Sequence, residues 1–300
     1  MNTFTIELPA HMMNTHFKCL GHFVTDHLLM LFKFKMHLQT QQIYITKLNI
    51  ICQSLKSFML DLYKAIFDQV QINQDPHGTL NLQVVLGSIK EDQLIYLAKS
   101  DQILPEFLYE NARKISEHNA YYAKLFKEFM LNKFNITPKF DKDVLIINRN
   151  NPQNTSGRCW VNLEALTTLL TDQQLSFDIL AMEEYTIKQQ MQIVNSYKYI
   201  ITAGNSSFLG HYFWIQDATI IECCIKGLRC INTIIFAQNL DLQLYILTTK
   251  LKYKSADNHI LNQILEYQYE NDFLLDSKNI DEQTIHNEIT FYNKIGRAHV

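Results

Sequence analysis

The chain has 300 residues, is 47% apolar, and carries a net charge of -3 with a pI near 6.4. That apolar content can bury one large core or two modest ones, which excludes a disordered chain and leads us to expect two domains. No long Lys/Arg run concentrates positive charge, so a nucleic-acid-binding role is excluded too.

The opening residues MNTFTIELPAHMMN carry an acidic residue and no continuous apolar run. Neither a signal peptide nor a membrane anchor is expected there or later, and a cytoplasmic location follows. Next, HFKCLGHFVTDHLLMLFKFKMHL places Leu28, Leu29, Leu31, Phe32 and Met36 on one helical stripe, with Asp26 near its start, where a negative charge suits the exposed N–H groups. QQIYITK is a short strand candidate, residues 51–70 an amphipathic helix, and DPHG at 75–78 a turn into a strand LNLQVVLGS. One long helix is predicted from about 106 to 134, ended by Ile136-Thr137-Pro138, and the domain boundary falls there: 1–137 and 138–300.

The second half reads as strand VLIINR, polar loop NNPQNTSG, helix WVNLEALTTLL, a short strand at 175–182, helix EYTIKQQMQIVNSY and strand YIITAG. A helix start or turn at Phe208–Trp214, strand ATIIECC and a further buried strand INTIIF follow. From 255 onward, HILNQILEYQYENDFLLDSKN is expected to form one or two helices, apolar enough to pair two subunits. The alternation is that of an α/β domain, which binds phosphorylated ligands at the C-terminal ends of its strands. The six cysteines, Cys19, Cys52, Cys159, Cys223, Cys224 and Cys230, show no paired metal-ligand spacing and read as small buried hydrophobes.

Several groups in this frame suit chemistry, each with an ordinary alternative. Arg149 at a strand end and Arg158 beyond the loop could neutralise a diphosphate with two planar donor forks, or be surface arginines. Gly204-Asn205-Ser206-Ser207 could cradle an anion with backbone N–H groups and hydroxyls, or simply cap a helix. Glu222, closing ATII, could accept from a ribose diol or be solvated. Glu183 and Glu184 could be favourable first-turn charges. Asp26 could deprotonate a hydroxyl, with His22 or His27 orienting it or doing that work, while His22 could equally be a cap. His16, His22 and His27 lack the spacing of a zinc site. Asp141-Lys142-Asp143 has the DxD form that holds a divalent ion in some sugar transferases, but it precedes its strand and reads as a solvated strand start.

GHFVTDHLLMLFKF, INRN ending in Arg149 and Asn150, RCWVNLEAL and MEEYTIKQQMQIVNSYKYIITAGNSSFLGHYFWIQDATIIE, in that order, resemble the DUF563 glycosyltransferases, glycosyltransferase family 61. That family includes plant xylosyl- and arabinosyltransferases and animal N-acetylglucosaminyltransferases. The resemblance covers roughly residues 17–45 and 144–225. It implies a GT-B-like fold, two Rossmann-like domains facing across a cleft, the N-terminal one small and on the acceptor side. It also implies inverting transfer from a nucleotide sugar, UDP-linked, to a glycan or glycoprotein acceptor with no obligatory metal. By the same resemblance Arg149, Arg158 and Asn162 lie near the diphosphate and ribose, Glu183 and Gln190 organise the donor side, Gly204 to Ser207 cradle phosphate, and Glu222 faces the nucleoside. Asp26 is then the general base, with His22 in reserve. Ala203 stands where the family usually has histidine, which either weakens donor binding or leaves Asn205 and Ser206 to supply the donor hydrogen bond. The lack of an anchor suits a bacterial-type or viral cytosolic enzyme, in the host cytoplasm if viral. A relative that binds without turnover, or a structural protein, is the alternative.

Overall fold

The computed structural model describes residues 2–8, 19–52, 55–74, 116–148, 163–203, 208–225, 230–249 and 274–276. The chain divides into two units, Met1–Asn135 and Ile136–Val300. Each is α/β and is built on its own parallel sheet flanked by helices.

In the first unit β1 (Asn2–Leu8), β2 (Ile45–Cys52) and β3 (Gln69–Gln74) form a parallel sheet in the order β1-β2-β3. Parallel neighbours need a crossover, and helices supply it. A helix beginning at Leu20–His22, passing through a π-helical stretch Phe23–Leu28 and continuing as Leu29–Thr40 (together α1) joins β1 to β2. α2 (Ser57–Ile66) joins β2 to β3. The region expected to be one helix over 51–70 is therefore split: Ile51 and Cys52 end a buried strand, and Gln69 and Val70 begin another. Strand β2 extends the QQIYITK candidate through Cys52, whereas β1 and β3 were not foreseen. α3 (Glu117–Phe134) packs on α1 and α2. The Ser116 side chain caps it by accepting from Asn119 N–H at 3.1 Å, and it ends where Asn135 turns left-handed at φ 54°. The expected strand at LNLQVVLGS and the 106–115 portion of the long helix lie outside the described residues.

In the second unit β4 (Lys142–Ile147), β5 (Phe177–Leu180), β6 (Tyr197–Ala203), β7 (Thr219–Ile225) and β8 (Leu244–Thr249) run parallel, and β9 (Leu274–Asp276) is antiparallel to β8, in the order β5-β4-β6-β7-β8-β9. Because strand side chains alternate, the sheet has two distinct faces. On one, Val144, Ile146, Ile201 and Cys223 meet Leu166 and Leu170 of α4 (Leu163–Asp172). On the other, the register aligns Leu145, Ile200, Ile220 and Leu244 in one buried row and Ile147, Thr202, Glu222 and Ile246 in the next. α5 (Ile187–Val194) opens with a capping box between Thr186 and Gln189 and delivers the chain into β6.

Two expectations fail here. INTIIF is not a strand but part of α6 (Cys230–Asn239), whose Ile234, Ile235, Phe236 and Ala237 are all buried. A helix buried around its circumference shows no polar stripe, so a short apolar run looks the same in either conformation. The strand is instead β8, eight residues further on from that run. In the tail, Leu274–Asp276 is strand rather than helix, pairing with the β8 edge that would otherwise present open backbone groups. The rest of the tail lies outside the described residues. Cys52 and Cys223 are buried thiols, each 3% exposed, as small hydrophobes would be. Among the described residues no helix is long and apolar enough to cross a membrane.

Candidate functional site

In the first unit the chemistry gathers on α1. Between Gly21 and Met30 every residue is buried except His22, Asp26 and Met30, an i, i+4, i+8 stripe. His22 Nδ1 lies 3.0 Å from Asp26 Oδ2, and the Thr25 hydroxyl donates to Asp26 Oδ1 at 2.9 Å. The Asp26 side chain is 7% exposed and that of His22 25%. The buried side of the same stretch is fixed by aromatic contacts. Phe23 meets Phe58 and Tyr63 edge-on at 5.7 and 5.4 Å, and His27 Nε2 lies 2.5 Å from the Tyr63 hydroxyl. Burial, with Cys52 nearby, pushes the Tyr63 phenol well above its ordinary value, so it stays neutral. The π-helical turn is a feature found disproportionately at functional sites, and here it coincides with the residues Phe23–Leu28 that carry Asp26 and His27. It costs ideal helix geometry, and the aromatic contacts on α2 are what hold it.

In the second unit the candidate residues flank a 3-10 helix, Phe208–Phe213, that follows Gly204–Ser207. Glu222, 4% exposed, accepts from the Tyr212 hydroxyl at 2.7 Å and from the Thr233 hydroxyl at 3.3 Å. Gln190, 7% exposed, donates to the Tyr185 carbonyl at 2.9 Å and reaches His211 Nε2 through Oε1 at 2.8 Å. His211 in turn stacks on Phe208, centroids 5.0 Å apart. Gln190, expected to organise the donor side, and Glu222, expected to face the nucleoside, are thus interior groups engaged with the 3-10 helix, and Glu222 lies on the sheet face opposite α4. Glu183 sits exposed in a short 3-10 turn, Met182–Glu184. Burial, and then Glu222 beside it, pushes the Cys223 thiol up to about 12.

Arg149, Arg158, Asn162, Gly204, Asn205, Ser206 and Ser207 lie outside the described residues. The Asp141-Lys142-Asp143 motif is committed elsewhere. Asp143 bonds Lys198 at 2.7 Å and Ser176 at 2.8 Å, and Lys142 bonds Asp178 at 2.7 Å, a carboxylate that also accepts from Tyr197 at 2.5 Å. These pairs tie the starts of β4, β5 and β6 together. Among the described residues no cluster of three His, Cys, Asp or Glu is arranged to hold a metal.

The sequence reading missed Thr25, Tyr63, His211, Tyr212 and Thr233. Thr25 sits inside the segment GHFVTDH, and His211 and Tyr212 inside the stretch that ends in ATIIE; Tyr63 and Thr233 carried no such signal, and Tyr63, His211, Tyr212 and Thr233 meet their partners only through the tertiary fold.

A family model described as Glycosyltransferase 61 matches residues 20–221, from the first residue of α1 into β7. A search of curated proteins finds no match. The matched span holds both His22 and Asp26 on α1 and the β4-to-β7 portion of the second sheet, and it exceeds half the chain. The chain therefore belongs to the glycosyltransferase 61 family, whose general activity is glycosyl transfer.

Proposed function

We propose that the protein is an inverting, metal-independent glycosyltransferase of GT-B-like architecture. It moves a sugar, a pentose or N-acetylhexosamine, from a UDP-linked donor to a hydroxyl of a glycan or protein. The observation that carries this is the family match over residues 20–221. The two parallel α/β sheets support the architecture, since open parallel sheets bind nucleotides beyond the carboxyl ends of their strands. On this reading residues 1–137 form the acceptor side and 138–300 the donor side.

Inverting transfer needs a proton taken from the acceptor on one face and a nucleoside diphosphate stabilised as it leaves on the other. Arg149, Arg158 and Asn162 serve the leaving diphosphate, with the N–H groups and hydroxyls of Gly204–Ser207, by fixed positive charge and donors. Glu183 lies on this donor side. Gln190 and Glu222 contribute by fixing the 3-10 helix that follows Ser207, through His211 and Tyr212. The His22–Asp26 pair serves the acceptor. Ala203, standing before Gly204 where the family usually has histidine, favours a second reading: a relative that binds the donor without turning it over.

Calorimetric titration with UDP, GDP and CMP, with and without EDTA, tests the donor side. UDP is expected to bind selectively and independently of EDTA. Arg158→Ala is expected to weaken it about tenfold or more, the loss of one charge-assisted contact. No binding by any nucleotide overturns the assignment. Binding without release of UDP from UDP-sugars in the presence of acceptors selects the second reading.

A further inference from the structure

We propose that His22, rather than Asp26, takes the proton from the acceptor hydroxyl, and that Asp26 is a positioning residue acting through it. This rests on the glycosyltransferase reading above. The first argument concerns atoms. An ionised carboxylate only accepts hydrogen bonds, and Asp26 accepts from Thr25 on Oδ1 and faces His22 Nδ1 on Oδ2. Nδ1 must then carry the proton in the neutral ring, which leaves Nε2 as the basic nitrogen.

The second argument concerns access. Of the pair, His22 is the more open, 25% against 7% for the Asp26 side chain. A base has to come within hydrogen-bond reach of the proton it removes. The other histidine of the segment is unsuited, since His27 is fully buried and its Nε2 is engaged by Tyr63. The third argument concerns rigidity. Thr25 is buried at 2%, and Phe23 and His27 wedge the opposite side of the π stretch against α2. The carboxylate is thus held in place, and it holds the ring.

The step balances as follows. The acceptor O–H proton passes to His22 Nε2, and the oxygen's electron pair forms the bond to the anomeric carbon. The bond from that carbon to the diphosphate oxygen breaks, with its electrons leaving on the nucleoside diphosphate. The imidazolium so formed is stabilised by Asp26 until its proton passes to water. The same division of labour, a ring that moves the proton and a carboxylate that fixes its tautomer, operates in hydrolytic triads.

Two readouts test this. Two-bond 1H–15N spectra of the labelled full chain, with His22 assigned by loss of its signals in His22→Gln, report the tautomer without needing turnover. The Nδ1–H form is expected in the wild type, shifting to Nε2–H in Asp26→Ala. An Nε2–H ring in the wild type overturns the proposal. In the transfer assay, His22→Ala is expected to lose about a hundredfold or more and to regain activity with added imidazole. Asp26→Ala should lose less and gain nothing from formate. Rescue of Asp26→Ala by formate, with His22→Ala unmoved by imidazole, makes Asp26 the base and sinks the proposal. UDP affinity, measured on the same variants, separates a failure of the donor reading from a failure of this one.

Discussion

The two units each bury a charged side chain, and they accommodate it in different ways. In the first, Lys33 is completely buried on α1, donating to the Asn119 side-chain oxygen of α3 at 2.6 Å, with the Tyr122 ring 5.8 Å away. In the second, Glu222 lies within a sheet row and accepts hydroxyl hydrogen bonds from the 3-10 helix and from α6. One contact locks helix to helix across 86 residues of sequence; the other locks sheet to the elements covering it. The difference shows what each unit has to keep still. The first fixes α1, which carries His22 and Asp26, and the second fixes the segment that follows Gly204–Ser207.

The largest effect is expected where a fully buried charge loses an acceptor. Asn119→Leu removes one acceptor of the fully buried Lys33 ammonium, a loss expected at about 3 kcal/mol, the top of the range for a hydrogen bond to a charged group. Lys33→Met removes the charge together with its need for a partner and fills the same volume, so it should cost clearly less. Urea unfolding of both variants, followed in the first unit, checks the order. If Lys33→Met is the more destabilising, the ammonium is not what demands the contact.

In the second unit Glu222 accepts from at least two hydroxyls, so each single deletion should be milder. Tyr212→Phe keeps the ring and removes the 2.7 Å bond to Glu222, a loss of about 1.5–3 kcal/mol for a hydrogen bond to a charged group. Thr233→Val removes the longer 3.3 Å bond and should cost about 1 kcal/mol. The Tyr212 change should also weaken UDP binding, because it loosens the 3-10 helix, whereas Asn119→Leu should leave UDP affinity alone. Equal loss of UDP affinity in both variants would erase the contrast between the units.

How far these features were legible in the sequence differs between the halves for physical reasons. β4, β6 and β7 were readable because Val144–Ile147, Ile200–Ile201 and Ile220–Ile221 are apolar runs bounded by polar residues, and strands buried on both faces look like that. β3 was hidden because QVQINQ is an exposed edge strand: Gln71, Ile72 and Asn73 are all exposed, so burial imposed no pattern on it. α6 was misread because burial all round removes the helical period. For the candidate site, the crowding of His22, Asp26 and His27 into one short segment was visible, but that His22 and Asp26 share one face of α1 is shown by the structure. The π-helical stretch was not, since a change of backbone hydrogen-bond register leaves no residue signature. Glu222 was legible as a carboxylate on β7, but its partners Tyr212 and Thr233 come from elements whose packing no local pattern encodes.

The smallest effect concerns the one acidic motif that does not take part in either arrangement. Lys198, and then Ser176, hold Asp143 down to about 2 from an ordinary 3.8. A carboxyl with a depressed pKa in the folded state binds fewer protons than the unfolded chain between those values. Stability from this group is therefore fully present above about pH 4 and is lost as the pH falls towards 2. Because the pair is exposed, salt should screen it, and its contribution is expected to be slight. In acid titrations of unfolding the wild type should be slightly more stable than Asp143→Asn above about pH 4, and that gap should close as the pH falls towards 2 and shrink with added salt. A gap that stays open at pH 2, or that high salt leaves unchanged, would mean that Asp143 does more than tie the start of β4 to its neighbours, and would return Asp141-Lys142-Asp143 to consideration as a functional motif.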